Sequence, residues 1–218
     1  RRKGFGNDQH AADEGEPGTY KDKVIMEQNP HLYLEGLIIA AYAVGATKAF
    51  IYIRGEYYLS IERTEKAIKS AYASGFIGKN IHHSGFHLDV EVKLGAGSYL
   101  CGEELTLIES LEGKRGHPRI KPPFPAQKGV FGKPTLVNNV ETLANVPIII
   151  NNGSDWYKTL GTENSPGTKL FTVSGCVKMP DTFEVELGTT LKDLIFNHAG
   201  GIRFDRKFQA ALLGGAAG

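Results

Sequence analysis

Between Asn29 and Glu112, segments with helical spacing alternate with short strand-like runs, and a glycine closes each helical one: Gly45, Gly75 and Gly113. Asn29 is placed to cap the first helix with Pro30 in its opening position, and Leu34, Leu37, Ile38 and Ala41 form one stripe along it. Residues 49–53 follow as a continuous apolar run, the composition of a strand buried on both faces. The unit then recurs. Ser60 caps a helix carrying Ile61, Ala67, Ile68 and Ala71, and residues 87–94 alternate with Leu88, Val90, Val92 and Leu94 on one face. A third helix over about 102–112 turns Leu105, Ile108 and Leu111 inward. Strands alternating with helices predict an α/β fold, a layered sheet with helices against its faces.

Outside this stretch the pattern changes. Residues 1–12 show no periodicity and read as irregular, and the acidic loop Asp13-Glu14-Gly15-Glu16-Pro17-Gly18 follows them. From Lys114 to Lys133, Pro118, Pro122, Pro123 and Pro125 exclude a helix and poorly suit a central strand, so an ordered surface loop is expected. Helical propensity returns over 138–150, and Asn151-Asn152-Gly153 signals a turn. After Ser165-Pro166-Gly167 come short strands over 169–174 and 181–186, then a helical stretch 190–198 ending in Gly200-Gly201. The expectation is an α/β domain over 1–164 and a small α+β domain over 165–218.

Composition narrows the function. With 218 residues and 41% hydrophobic content the chain can bury one good core and a small second one. Twenty-five Lys and Arg nearly balance 24 Asp and Glu without a long basic block, which argues against nucleic acid as a partner. The longest apolar stretch, Leu34 to Ile53, is broken by Glu35, Gly36, Gly45 and Lys48, so no membrane insertion is expected. Arg1-Arg2-Lys3 lacks the apolar run of a secretory signal. Cys101 and Cys176 form no CxxC pair, and no HExxH arrangement occurs among the seven histidines, so no metal ligands are assigned. A reducing, cytoplasmic setting is the expectation.

Four motifs carry candidate chemistry. The turn Leu94-Gly95-Ala96-Gly97-Ser98-Tyr99-Leu100-Cys101-Gly102-Glu103-Glu104 joins a strand to a helix, and its glycines let backbone N–H groups approach a ligand at a helix amino end. It matches neither the dinucleotide fingerprint nor a P-loop, and a tight turn without a ligand remains the alternative. Glu103 and Glu104 would repel a phosphate, which points to the neutral or hydride-donating part of a ligand there. Asn138-Asn139-Val140-Glu141-Thr142 offers amides that either cap a helix or hold an anion. Arg119 to Ala126 is stiffened by prolines, so Lys121 and Phe124 are held out at little entropic cost, suited to a pyrophosphate and an adenine or simply packed on their own domain. Carboxylates of the loop at Asp13, Glu14 and Glu16 can accept hydrogen bonds from ribose or ribityl hydroxyls or a flavin imide, or stand solvated.

In this order, DEGEPGTYKD at 13–22, GAGSYLCGEE at 95–104, KPPFP at 121–125 and NNVET at 138–142 resemble one family. It is the NADH-binding, 51 kDa-type flavoprotein subunit of respiratory complex I, shared with NAD-linked hydrogenases, NAD-linked formate dehydrogenases and electron-bifurcating enzymes. The resemblance runs from about Asp13 to the end of the chain. It implies a Rossmann-like FMN-binding sheet followed by a ubiquitin-like β-grasp domain, and an NADH dehydrogenase activity that passes a hydride between NAD(H) and FMN. By the same resemblance Asp13, Tyr99, Gly102, Glu103, Asn138 and Asn139 line the FMN site, with the asparagines at its phosphate. Glu16 and Glu104 face the nicotinamide, and Lys121 and Phe124 take the rest of NADH. Gly95, Gly97, Glu14 and Thr142 belong to the same motifs.

Further expectations follow from the resemblance. Partners are iron–sulfur subunits of a larger redox complex, including a thioredoxin-like [2Fe–2S] subunit, at the cytoplasmic or matrix face of a membrane. The family's [4Fe–4S] cluster is held by four cysteines past the β-grasp domain, and these 218 residues do not contain them, as expected of a partial chain. A glycine-rich Phe-Pro-Thr-Gly segment precedes the acidic loop in the family, where this chain has Arg2-Lys3-Gly4-Phe5-Gly6-Asn7, and Ala11 stands where an Asn is usual. Those departures leave two rivals: a non-catalytic nucleotide-binding assembly subunit of the same fold, and a soluble-ligand binding protein centred on residues 165–218.

Overall fold

The computed structural model describes residues 7–215. Four parallel strands form the main sheet: β1 (Asn7–Ala12), β2 (Lys48–Arg54), β3 (Asp89–Gly95) and β4 (Thr135–Asn139), in the order β3-β2-β1-β4. Between β1 and β2 run α1 (Lys21–Gln28) and α2 (Pro30–Val44); α3 (Tyr58–Ala73) links β2 to β3, and α4 (Glu104–Leu111) lies between β3 and β4. After β4 the chain enters α5 (Val140–Asn152). The alternation read from residues 29–112 is therefore that of a parallel α/β sheet.

Strand β2 shows why its sequence is apolar throughout. Ala49, Ile51 and Ile53 join a core with Leu34, Leu37 and Ala41 of α2, Ala67 and Ile68 of α3, and Val140 and Leu143 of α5. The intervening Phe50 and Tyr52 join a separate cluster with Cys101, Val130 and Leu105, Leu107, Ile108 and Leu111 of α4. Helices thus cover both faces of the strand, and each Leu, Ile or Phe taken fully from water contributes about 1.5–3 kcal/mol. Gly36 allows α2 to meet α5 closely, because a Cβ there would fall within the Leu143 carbonyl.

From β1 the chain moves outward to β2 and β3 and then returns to place β4 on the other flank of β1. That reversal makes the carboxyl ends of β1 and β4 the switch point of the sheet, the place where open parallel sheets receive ligands.

The first compact unit comprises the chain up to Gly15 together with Asp22–Pro147; the second comprises Glu16–Lys21 together with the residues from Ile148 on. In the second, α6 (Ser154–Lys158) precedes a short hairpin of β5 (Gly161–Thr162) and β6 (Ser165–Pro166). An antiparallel pair follows, β7 (Thr168–Val173) with β8 (Asp181–Glu186), in register from Thr168 opposite Glu186 to Val173 opposite Asp181. A short helix α7 (Leu191–Asp193), capped by Thr190 through Oγ1 and the Asp193 N–H, widens into a turn over Leu194–His198. Val177, Ile195 and Ala199 form its core. No described helix is long and apolar enough to cross a membrane.

Several expectations are corrected. Residues 7–12, read as irregular, form the strand at the sheet's centre, although Asn7-Asp8-Gln9-His10-Ala11-Ala12 contains no β-branched or aromatic residue. Pairing to β2 on one side and β4 on the other overrides that weak propensity. Ser60 does not cap α3, which begins two residues earlier; it is buried inside the helix and donates to Glu27 Oε1 at 3.1 Å. Asn29 occupies the capping place before Pro30 but makes no side-chain cap bond. Asn138 and Asn139 end a strand instead of beginning a helix. Leu94 is exposed at the end of β3, off the buried face expected for it. Helix α4 starts at Glu104, because residues 99–102 form a tighter helical turn.

Candidate functional site

Parallel strands deliver all four of their outgoing turns to one edge. Asp13–Gly15 leaves β1, Arg54–Tyr57 leaves β2, Gly95–Glu103 leaves β3, and Asn139 passes directly into α5. The start of the acidic loop, the glycine turn and the asparagine pair therefore share one edge of the sheet.

In the turn after β1, Glu14 is buried and committed to the fold. Its carboxylate accepts from the Asp22 N–H at 2.9 Å and the Lys23 N–H at 3.0 Å, which anchors the first turn of α1, and from the Tyr57 hydroxyl at 3.4 Å. Its carbonyl accepts from Arg54 Nη1. Asp13 is different. Its Oδ2 is buried without a hydrogen-bond partner among the described residues, and burial pushes its carboxyl up to about 6, with Arg54 opposing the rise and Glu56 adding to it. Near neutral pH such a group exchanges readily between accepting and donating a hydrogen bond.

The turn after β3 uses its glycines unequally. A Cβ on Gly95 would stand 2.9 Å from the ring of Tyr52, whose hydroxyl lies 2.9 Å from Ser110 Oγ, so Gly95 makes room for the core. Gly97 has φ 77° and would press a Cβ to 2.8 Å from Glu56 Oε1; both favour glycine. Gly102 alone opens onto space, with only the Asp13 carbonyl within 4 Å of where a Cβ would stand. Tyr99 is exposed beside it, its Cα 3.1 Å from where a Cβ on Gly15 would be.

The amino end of α4 already holds an anion. Glu103 Oε2 accepts from the N–H groups of Leu105 and Thr106, each at 2.9 Å, and from Thr106 Oγ1 at 3.1 Å. Burial works against this carboxylate, but those bonds and Lys121 hold it below the usual carboxylate range. Lys121 Nζ lies 2.6 Å from Glu104 Oε1 and 3.3 Å from Glu103 Oε1, and the pairing, Glu104 first, raises the lysine. The like-charge conflict read from the sequence is thus met by one cation, and no phosphate is needed at α4.

Lys121 is delivered by the proline loop, which α4 anchors. Arg119 pairs with Glu109 and Glu112, and Glu112 Oε1 also accepts from the Phe131 N–H at 2.8 Å. Phe124 is half exposed, its N–H held by Gln127 Oε1 at 3.2 Å. A hollow of about 460 Å³ lined by Glu109, Glu112, Lys114 and Arg119 opens at the other end of α4, and these four charges are already paired with one another.

At the end of β4, Asn139 Oδ1 caps α5 through the Glu141 N–H at 3.0 Å while its Nδ2 donates to the buried Asp22 at 2.8 Å. Of the two readings of the pair, capping is made by Asn139; Asn138 beside it and exposed Thr142 lie at the amino end of α5. Glu16 lies in the second compact unit. Arg2 to Gly6 lie outside the described residues.

A family model described as the Nuo51 FMN-binding domain matches residues 11–148. The chain belongs to this family. It is 56% identical over 203 residues to an NADH-quinone oxidoreductase subunit of Aquifex aeolicus, covering 93% of this chain and 48% of that one. It is 49% identical over 207 residues to the NADP-reducing hydrogenase subunit HndC of Solidesulfovibrio fructosivorans, covering 95% of this chain and 42% of that one. Among solved structures it resembles an NAD+-reducing [NiFe]-hydrogenase in its H2-reduced state, with a TM-score of 0.82 and 43% identity over 91% of this chain and 33% of that one. The chain spans about half the length of the curated relatives it matches.

The edge fits the group for which the Nuo51 family is described. One buried, unpartnered carboxyl oxygen at Asp13, open space at Gly102 and an exposed ring at Tyr99 together offer a polar contact, room and a flat surface to an isoalloxazine. The four motifs did not include Arg54, Glu56, Tyr52 and Tyr57. Their signal was Arg54-Gly55-Glu56, two opposite charges astride a glycine directly after an apolar strand.

Proposed function

We propose that this Nuo51-family chain is the FMN- and NAD(H)-binding part of an oxidoreductase, in which a hydride passes between nicotinamide and flavin and electrons then leave singly to iron–sulfur clusters of a larger complex. FMN, when bound, supplies the exchange between two-electron and one-electron transfer. The chain's own residues bind and orient. Asp13, with its unsatisfied buried oxygen, meets the flavin's polar edge, and Tyr99 and Gly102 border the ring. Asn138, Asn139 and Thr142 receive the phosphate at the amino end of α5.

Glu104 and Glu16 are assigned to the nicotinamide, and Lys121 and Phe124 to the remainder of NADH. Because Lys121 is paired with Glu103 and Glu104, nucleotide entry draws it from carboxylates to a diphosphate, and the freed carboxylate favours the cationic, oxidised nicotinamide. Glu103 keeps its place as the cap of α4. Residues 165–218 are assigned to a β-grasp domain, which the β7–β8 pair followed by α7 supports. The partners assigned are iron–sulfur subunits, a thioredoxin-like [2Fe–2S] subunit among them, at the cytoplasmic or matrix side.

The observation that carries this reading is the convergence of Asp13, Gly102, Tyr99 and the asparagine pair on the carboxyl edge of one parallel sheet. The purified protein, reconstituted with FMN, is expected to show flavin absorbance that NADH bleaches under anaerobic conditions. NADH binding without bleaching would instead identify a non-catalytic nucleotide-binding subunit.

A further inference from the structure

We propose that Arg54 is a positioning residue of this flavin site: one arm of its guanidinium holds the Glu14 carbonyl and the other holds Glu56, locking the turn after β1 against those after β2 and β3. The inference rests on the FMN reading above and adds a residue to it.

Register places the arginine for this task. The β1–β2 ladder ends with Ala12 opposite Ile53, so Asp13 and Arg54 are the next residues out on adjacent strands. Nη1 donates to the Glu14 carbonyl, and Nη2 lies 3.5 Å from Glu56 Oε1. Glu56 in turn occupies the space beside Gly97, on the turn after β3. The guanidinium also sits 5.6 Å from the ring centroid of Tyr57, whose hydroxyl donates to the Glu14 carboxylate. Glu14 is thereby fixed by backbone and side chain at once. With Glu14 fixed, its neighbour Asp13 has little freedom to turn toward water.

Position and charge are linked here. The groups acting on Asp13 are Arg54 and Glu56 from the turn after β2 and Tyr52 from β2 itself, whose hydroxyl senses the Asp13 charge. Arg54 favours the ionised carboxyl and Glu56 disfavours it. Removing either charge should therefore move the Asp13 titration, and in opposite directions. A loss of fold alone would weaken binding at every pH without displacing the profile.

The test measures the affinity of the apoprotein for FMN by flavin fluorescence between pH 5 and 8. It compares wild type with Arg54→Gln, Arg54→Lys and Glu56→Gln. At pH 7, Arg54→Gln is expected to bind at least about tenfold more weakly, one power of ten being about 1.4 kcal/mol. The pH at which affinity changes should rise in Arg54→Gln and fall in Glu56→Gln, while Arg54→Lys restores the wild-type pH and part of the affinity. Unchanged affinity in Arg54→Gln, or a uniform loss at every pH with no displacement in either variant, overturns the proposal. If Arg54→Gln does not fold, Arg54→Lys against Glu56→Gln carries the comparison: a lysine profile that moves with that of Glu56→Gln overturns it. Should wild type take up no FMN, the flavin reading fails by itself. Titration of the Asp13 carboxyl by carbon NMR then decides the arginine's role, an equal midpoint in wild type and Arg54→Gln counting against it.

Discussion

Glu103 works twice, once for the fold and once for the site. One oxygen terminates α4, and the other shares Lys121 with Glu104. Removing the side chain in Glu103→Ala should cost about 1–2 kcal/mol through the lost cap, read as a lower urea midpoint with an unchanged slope. Glu104→Ala, which caps nothing, should leave that midpoint within about 0.5 kcal/mol of wild type and act instead on nucleotide binding. The sequence placed both acids correctly at a turn beside a helix, because glycine spacing and helical periodicity are local. Which acid faces the helix depended on one rotamer and was not legible. Asn139 repeats the lesson: its neighbour in space, Asp22, stands 117 residues earlier in the chain.

Elements were legible in proportion to how much apolar surface they bury. Helices α2, α3 and α4 and strands β2 and β3 carry periodic or continuous apolar residues, and their signals survive without knowledge of the partners. Strands β1 and β4 are not legible in the sequence because β1 contains no β-branched or aromatic residue and β4 is only five residues long, and pairing holds both in the sheet. Ser60 misled for a similar reason: a hydroxyl with a buried partner looks like a cap in one dimension. The contact between α2 and α5 is a sharp test of element packing. Gly36→Ala would drive its methyl into the Leu143 carbonyl, and unfolding should show a loss of at least about 1–3 kcal/mol as the helices are pushed apart. Gly85→Ala, where nothing lies within 4 Å but φ is 76°, isolates the backbone cost from that of the clash.

At the scale of the whole molecule, Asp13 sets a trade between folding and function. Its carboxyl titrates near 6 when folded and lower when unfolded, so the unfolded chain releases its proton first as pH rises. The stability it contributes is present below about 4 and lost as pH rises through about 6. Asp13→Asn removes this dependence, and its melting temperature should exceed that of wild type at pH 7.5 by more than at pH 4, while FMN affinity falls. Equal differences at the two pH values would show that the buried oxygen has no such cost. The same sheet also has a history in synthesis. Strand β1 precedes its flanking partner β4 by 128 residues, Asn7 lying opposite Thr135. Until that partner emerges, a nascent chain that has paired β1 with β2 still presents a row of open peptide groups along the middle of its future sheet. A chaperone binding during that interval, or a stall in synthesis before β4 is made, would decide between native assembly and edge-to-edge association.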